Sequence, residues 1–213
     1  MNRHRDGNEN IIFNGMKTGF TLSDFWEWGF SDLLNNTLRG VYCEFLVATA
    51  LGLDLHLGRE NWTPWDLTVP HRWLDRGLCK DELHVEVKSG AYLQSWEQSK
   101  PSKIVFSIRP THVWNEEEGY GVETRRQSDV YIFCLYTVTD RLTADPVILD
   151  GWRFYIVPTD VLNDRCGNQS SITLRSLEAL NPIISDYYGL KKAILQSTEN
   201  GRKPVSCGKQ LMD

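Results

Sequence analysis

The sequence predicts an α/β protein, a three-layer sandwich in which a central mixed β-sheet is flanked by helices. Two stretches indicate this class. Residues 83–89 alternate apolar and polar side chains, which is the period of a half-buried strand. Residues 129–137 form the near-continuous apolar run expected of a strand that is buried on both faces. Helical patterns precede, separate and follow these strands, so we expect one sheet with helices on its faces.

The composition is that of a folded, water-soluble protein. The 213 residues suffice for one domain with a full core. The formal net charge of -5 argues against a protein that binds polyphosphates non-specifically through bulk charge. No apolar run is long enough to cross a bilayer, and the first ten residues lack the apolar centre of a secretory signal. Five scattered cysteines without a CxxC pair argue against structural zinc. We therefore expect a cytoplasmic protein with no membrane partner.

The N-terminal part of the chain predicts an arm followed by two helices. Residues 1–20 are expected to be flexible because glycines interrupt any pattern there. Thr21 or Ser23 is expected to cap the first helix. The second helix is predicted over residues 37–51, because its apolar side chains recur at helical spacing and Gly52 suits a helix end.

The first helix begins a single domain, residues 21–197, which is followed by a polar tail over residues 198–213. Further elements are expected in this order: strands over 65–69, 83–89 and 103–109 with a helix over 91–100 before the third, strands over 129–137 and 152–157, a short strand and turn over 172–180, and a final helix over 185–196. Residues 110–127, which are first acidic and then basic, predict a surface excursion.

Four charged residues stand in these elements with a spacing that can bring them together. Glu86 and Lys88 are two apart on one strand and therefore project from the same face. Asp66 lies in a shorter alternating strand whose apolar members are expected to face a core: Trp65, Leu67 and Val69. Glu44 lies within a largely apolar helix, where a charge must be paired, bound to a metal ion or extended to reach solvent.

Two carboxylates on neighbouring strands favour a divalent cation. Bare carboxylates about 4 Å apart repel each other by roughly 4 kcal/mol at an effective dielectric constant of about 20. A hard cation such as Mg²⁺ prefers oxygen ligands and turns this repulsion into attraction. Asp66 and Glu86 can supply two such ligands, with the Val87 carbonyl as a third. Lys88 would then lie within reach of a metal-bound water, which it can hold and polarise.

The same residues resemble the motif of the PD-(D/E)XK nuclease superfamily over residues 38–137. The matching positions are Glu44 on a helix, Pro64-Trp65-Asp66 for the first acid and Glu86-Val87-Lys88 for the tripeptide. Trp65 separates the proline from the aspartate, which departs from the usual pattern. The resemblance implies a restriction-endonuclease-like fold. It also implies Mg²⁺ or Mn²⁺ held by Asp66, Glu86, Val87 and Glu44, with catalytic roles for Asp66, Glu86, Lys88, Glu44 and a glutamine on the following helix, which is Gln98 or, as the alternative, Gln94.

By resemblance, the expected activity is metal-dependent hydrolysis of phosphodiester bonds in DNA by an endonuclease of the restriction or phage-defence type, which can act as a homodimer. The expected DNA contacts are basic residues beside the acidic patch: Arg125, Arg126, Lys100, Lys103 and Arg109. The alternatives are a nuclease for RNA or for branched or single-stranded DNA, a non-catalytic nucleic-acid-binding protein or scaffold with the same fold, and a ligand-binding or toxin-neutralising protein.

Each site residue also has a purely structural interpretation. Glu44 can form a buried ion pair with Arg39 or with an arginine elsewhere. Asp66 can be a solvated strand residue, and Glu86 can simply pair with Lys88 on an exposed face. Gln98 can be an ordinary polar position, and strand ends commonly carry basic residues such as Lys103.

Overall fold

The computed structural model describes residues 4–59, 63–70, 82–115 and 119–200. In chain order the elements are β1 (Asn10–Phe13), β2 (Met16–Thr21), α1 (Leu22–Phe30), α2 (Asn36–Leu51), β3 (Leu67–Pro70), β4 (Glu82–Ala91), β5 (Val105–Ser107), β6 (Thr111–Asn115), β7 (Gly119–Arg125), β8 (Val130–Tyr136), β9 (Trp152–Pro158), α3 (Thr159–Cys166), β10 (Ser171–Thr173), α4 (Leu174–Glu178), β11 (Ile183–Ser185) and α5 (Leu190–Asn200). Short 3-10 turns occupy Leu55–Leu57 and Leu149–Gly151. The predicted tail lies outside the described residues from position 201 onward.

The central sheet has five strands in the order β11-β9-β8-β4-β3. Strands β4 and β8 run parallel, whereas the other three pairs are antiparallel. A mixed central sheet in an α/β protein is therefore confirmed. Strand β3 pairs only with the first part of β4, from Glu82 to Val85, so the second part of β4 has no β3 residue beside it.

Apolar side chains pack on both faces of this sheet. On one face, α2 and α5 cover a cluster that includes Val85 and Val87 of β4. On the other face, α3, α4 and the short β5–β10 pair cover a second cluster that includes Tyr131 and Phe133 of β8. Every residue of β8 is buried, as its apolar run predicts. Along β4 the buried residues alternate with partly exposed ones, and this places Glu86 and Lys88 on the face opposite Val85.

The observed boundaries of α2 agree with the predicted range of 37–51 to within one residue. Asn35 caps it by accepting hydrogen bonds from the backbone N–H groups of Thr37 and Leu38. Gly52 ends it in the left-handed region with φ 73°, a conformation that glycine adopts without a steric penalty. Its inward face contributes Cys43, Leu46 and Val47 to the core, and it brings Arg39 and Glu44 into the interior as well.

The first strands form a hairpin where the sequence predicts only a flexible arm. The two-residue turn Asn14-Gly15 has φ 49° and 77°, as a turn of the I′ type requires, and joins the paired residues Phe13 and Met16. The hairpin leads into α1, which Thr21 caps together with Asp24 as predicted. Large apolar side chains are exposed in this N-terminal segment: Ile11, Ile12, Phe13, Met16, Phe20, Phe25, Trp26, Trp28 and Phe30.

The predicted helix over residues 91–100 is wrong. Strand β4 continues to Ala91, and bends and turns follow it. Side-chain amides satisfy backbone groups that a helix would use itself, because Gln94 donates to the Ala91 carbonyl and Gln98 accepts from the Gln94 N–H. Arg141 holds the same loop by donating to the Gln94 and Trp96 carbonyls. The excursion at 110–127 is a hairpin, β6–β7.

None of the helices in the described ranges is long and apolar enough to cross a membrane. Three cysteines, Cys43, Cys134 and Cys166, are buried and free. The other two lie outside the described residues.

Candidate functional site

Asp66 lies where the pairing between β3 and β4 ends. Its backbone N–H donates to the Val85 carbonyl at 3.0 Å. Its side-chain Oδ2 accepts a hydrogen bond from the Val87 N–H at 2.7 Å. The carboxylate therefore replaces a strand neighbour at the open edge of β4. Because the N–H and C=O of a strand residue point to the same edge, the Val87 carbonyl also faces the Asp66 side.

Glu86 and Lys88 form an ion pair on the sheet face opposite α2. Their side chains are 18% and 27% exposed, so the pair is only partly screened by water. Burial raises the pKa of Glu86, the Lys88 charge opposes this shift, and the negative charges of Asp66 and Glu44 add to it. Tyr131 is the in-register neighbour of Glu86 on β8. Burial, with a contribution from the Glu86 charge, raises the pKa of Tyr131 to about 12.

Glu44 is engaged by an arginine that its local sequence does not reveal. Arg59 donates through Nε to Oε2 of Glu44 and through its second terminal nitrogen to Oε1 at 2.9 Å. This two-point geometry uses both carboxylate oxygens. The hydrogen bonds from Arg59 to Glu44 are the main cause that raises the pKa of Arg59. The structural interpretation of Glu44 as a buried ion pair is thus realised, with Arg59 and not Arg39 as its partner.

These acids suit a Mg²⁺ ion bound by two protein carboxylates, Asp66 and Glu86, better than an ion bound by these two and Glu44. Among the described residues, no hydrogen bond to Oδ1 of Asp66 is seen, so this oxygen can face an ion. Burial disfavours the ionised form of Glu86, and a bound cation would stabilise that form. Mg²⁺ commonly takes one or two carboxylates and keeps several waters. Within the ranges that the structure describes, no group of three or more His, Cys, Asp or Glu residues is arranged to hold one ion. A direct ligand role for Glu44 requires Arg59 to move.

Gln98 does not lie on a helix. Its amide accepts from the Gln94 N–H at 2.7 Å and donates to the Ser102 hydroxyl at 2.9 Å. Gln94, the alternative, donates to the Ala91 carbonyl and accepts from Arg39. Both amides therefore hold the loop that follows β4, and their direct bonds are to this chain's own groups.

The basic residues expected to contact DNA divide into two kinds. Arg126 is buried and donates to the Ile108 and Gln169 carbonyls and to Oδ1 of Asn163. This guanidinium fastens the start of β8 to neighbouring segments, and Arg126 also lines the first cleft described below. Its contact with phosphate stays a prediction. The remaining four are exposed: Lys100, Lys103, Arg109 and Arg125.

An aromatic stack lies beside the acidic residues. The Trp65 and His84 rings are parallel within 9°, with centroids 3.5 Å apart. Because His84 shares the face of Glu86, the expectation that Trp65 faces the core with Val69 is wrong; it precedes β3, so the strand alternation does not extend to it. The stack lines a cleft of about 560 Å³, whose other walls come from Leu83, the segment before β8, the start of α3 and the later part of α5.

A second cleft, of about 410 Å³, opens directly beyond Lys88 on β4. Its lining includes Ser89 and Gly90 of β4, Arg39 near the start of α2, Lys103 and the exposed Trp96. Arg39 is only 4% exposed. Arg39 was predicted only as a partner for Glu44, and the sequence does not indicate this cleft, because its walls combine α2 with residues between 89 and 105, which are distant from α2 in sequence.

Comparison of the chain with protein-family models, with curated proteins and with solved structures gives no match.

Proposed function

We propose that this protein is a Mg²⁺- or Mn²⁺-dependent endonuclease that hydrolyses phosphodiester bonds in DNA, with a restriction-endonuclease-like arrangement of its core. The observation that carries the proposal is the meeting of Asp66 with the Glu86-Val87-Lys88 segment. Asp66 bonds to the backbone in the middle of this tripeptide, and its charge acts on Glu86. Two acids and an amine from two chain segments thus lie beside the part of β4 that has no β3 neighbour.

In this proposal Asp66 and Glu86 hold the cation, with the Val87 carbonyl as a further oxygen ligand. The bound ion would supply Lewis-acid stabilisation of charge on the scissile phosphate. Lys88 would release Glu86, orient the attacking water and stabilise negative charge as the phosphate reacts. Glu44 would act by fixing Arg59 beside these acids, a positioning role.

Cleavage assays test the proposal. The substrates are supercoiled plasmid, linear duplex, branched and single-stranded DNA, and RNA, each with Mg²⁺, Mn²⁺ or EDTA. We expect cutting that requires metal and that falls at least ~100-fold in both Asp66→Asn and Lys88→Met. Asp66→Asn removes a charged ligand of the ion, and Lys88→Met removes a positive charge that acts on the reacting phosphate. The substrate that is cut fastest decides between DNA and RNA.

Matched controls are Glu82→Gln, which removes an exposed acid of β4, and Lys192→Met, which removes an exposed lysine of α5. Both should cut like the unmodified protein. Cutting that survives in EDTA or in Asp66→Asn would refute the assigned site, and the absence of cutting under every metal condition would refute the activity.

A non-catalytic nucleic-acid-binding protein or scaffold is the second candidate, and one observation favours it. Each of the three acids already has a partner within the chain: Asp66 the Val87 N–H, Glu86 the Lys88 ammonium, and Glu44 the Arg59 guanidinium. A self-compensated network can serve structure alone. Binding of DNA that is unaffected by EDTA, without cutting, would favour this candidate.

A homodimer suits a duplex whose strands are related by a local two-fold axis, and it stays a prediction. The exposed apolar segment of β1, β2 and α1 is the surface we propose for a second copy, because apolar patches of this kind mark interaction sites. Light scattering tests this. We expect a dimer that Trp28→Ser, at an 85% exposed position, weakens, and a monomer at high concentration would exclude it.

A further inference from the structure

Arg39 is a buried cation without a carboxylate partner among the described residues. Its guanidinium donates to three neutral oxygens: the Leu34 carbonyl at 2.9 Å, Oδ1 of Asn36 at 2.6 Å and Oε1 of Gln94 at 3.4 Å. Nε of Arg39 has no hydrogen-bond partner within the described residues. Burial lowers the pKa of Arg39, which reflects an incompletely compensated charge. Buried charges are normally paired, so this one indicates a missing anion.

The position of Arg39 on its helix strengthens this reasoning. It lies in the first turns of α2, where the helix dipole is positive and a cation is disfavoured. The same field favours an anion. Asn35 already occupies the backbone N–H groups of Thr37 and Leu38, so the anion would depend on side chains and not on the helix end alone.

The cleft in front of Arg39 has the charge and shape for such an anion. Two cations, Arg39 and Lys103, and no acid occur among the residues that line it. Its volume of about 410 Å³ lies in the range of small-molecule sites. Trp96 is 55% exposed at the edge, where an aromatic face can stack on a base.

We propose that this cleft binds a phosphate group that carries a nucleoside, with Arg39 and Lys103 on the phosphate and Trp96 against the base. The phosphate can come from a free nucleotide or from a nucleic-acid strand, since both present the same group. Ser89 follows Lys88 directly, with their Cα atoms about 3.8 Å apart. A nucleic-acid strand bound in this cleft therefore passes beside the proposed catalytic residues. Anion binding by Arg39 goes beyond the proposed hydrolysis and does not depend on it.

Titration in EDTA tests binding without chemistry. The probes are inorganic phosphate, deoxyadenosine 5′-monophosphate, deoxyadenosine, and a short single-stranded oligonucleotide. Calorimetry gives the affinities, and thermal unfolding reports stabilisation by the probe. We expect binding of both phosphate and the nucleotide, with the nucleotide tighter, and no binding of the nucleoside. A tighter oligonucleotide identifies a strand as the source of the phosphate, whereas equal affinities identify a nucleotide.

Lys103→Glu is the informative variant because its exposed side chain makes misfolding improbable as a cause. We expect its nucleotide affinity to fall at least tenfold, with the unfolding temperature of the free protein unchanged. Trp96→Phe should keep phosphate affinity and lower the preference for nucleotide over phosphate only modestly, whereas Trp96→Ala should abolish that preference. Arg39→Lys should weaken phosphate binding, and Lys192→Glu, at an exposed position of α5 that does not line the cleft, should not.

Phosphate that neither binds nor stabilises the unmodified protein would overturn the inference, as would equal nucleotide affinities in Lys103→Glu and Lys192→Glu. Asp66→Asn separates the two proposals. It should retain nucleotide binding while losing cutting. If the unmodified protein binds nucleotide and cuts no substrate with any metal, the proposed function fails and the phosphate site stands.

Discussion

Helix α2 carries two buried charges one and a half turns apart, and their surroundings differ. Glu44 is held at both oxygens by Arg59, an opposite charge. Arg39 is surrounded by neutral oxygens of Leu34, Asn36 and Gln94. One helix thus contributes a compensated charge to the acidic edge of β4 and an uncompensated charge to the cleft beyond it.

The difference between Glu44 and Arg39 distinguishes a charge that is paired within the fold from a charge that can be paired by a ligand. Neutral oxygens satisfy the N–H groups of a guanidinium, but they do not cancel its charge in a medium of low dielectric constant. A carboxylate does both. The acidic edge can persist without a ligand because each acid has a partner, whereas the Arg39 cleft gains its missing charge only when an anion enters.

The largest expected effect is on catalysis and distinguishes the two regions by kinetics. With duplex DNA, Lys88→Met should lower kcat at least ~100-fold with little change in KM, because Lys88 acts on the reacting phosphate. Lys103→Glu should raise KM with kcat nearly unchanged, because it acts on binding. Steady-state assays over a range of DNA concentrations measure both. Equal losses of kcat in the two variants would contradict the division.

The second effect is on stability and concerns the Glu44–Arg59 pair. Removing one partner of a fully buried pair costs ~3–5 kcal/mol. The Arg59 side chain is 42% exposed, so solvent screening reduces our expectation to about 1–2 kcal/mol for Arg59→Met. Urea unfolding of Arg59→Met, Glu44→Gln and the double variant gives the coupling energy. The same cycle with Arg39→Met and Glu44→Gln should give a coupling energy near zero, because no ion pair joins these residues. A coupling energy as large as that of the Arg59 cycle would contradict the comparison.

Local patterns predicted the elements whose signals are complete within a few residues. The cap at Thr21, the end of α2 at Gly52 and the buried run of β8 are of this kind. The Asn14-Gly15 hairpin was not predicted, although this dipeptide is a strong local signal for a tight turn. The helix predicted over 91–100 failed for a local and a non-local reason. The Gln94 and Gln98 side chains bond to backbone groups there, and Arg141 from a distant loop holds the backbone.

The candidate site divides in the same way. The shared face of Glu86 and Lys88 follows from strand periodicity. The approach of Asp66 to the tripeptide was predictable only on the condition that the two strands pair, which β3 and β4 do. The Arg59 partner of Glu44 and the isolation of Arg39 depend on which side chains tertiary packing brings together. Nothing in the residues around Arg39 reveals the cleft, because Lys103 and Trp96 reach it only when the loop after β4 folds back.

The smallest expected effect is the pH dependence of stability that arises from Glu86. Its pKa in the folded chain is raised above the ordinary 4.5, mainly by burial. The folded state therefore binds the proton more tightly than the unfolded state, so this contribution is fully present below pH 4.5 and is lost as pH rises through the raised pKa. The opposing charge of Lys88 keeps the effect below that of the Glu44–Arg59 coupling. Urea unfolding in EDTA at several pH values, with Glu86→Gln as the reference, measures it. Added Mg²⁺ should reverse the loss at the higher pH, where the ionised Glu86 can bind the ion, but not at pH 4, and a loss that Mg²⁺ leaves unchanged would separate Glu86 from the metal site.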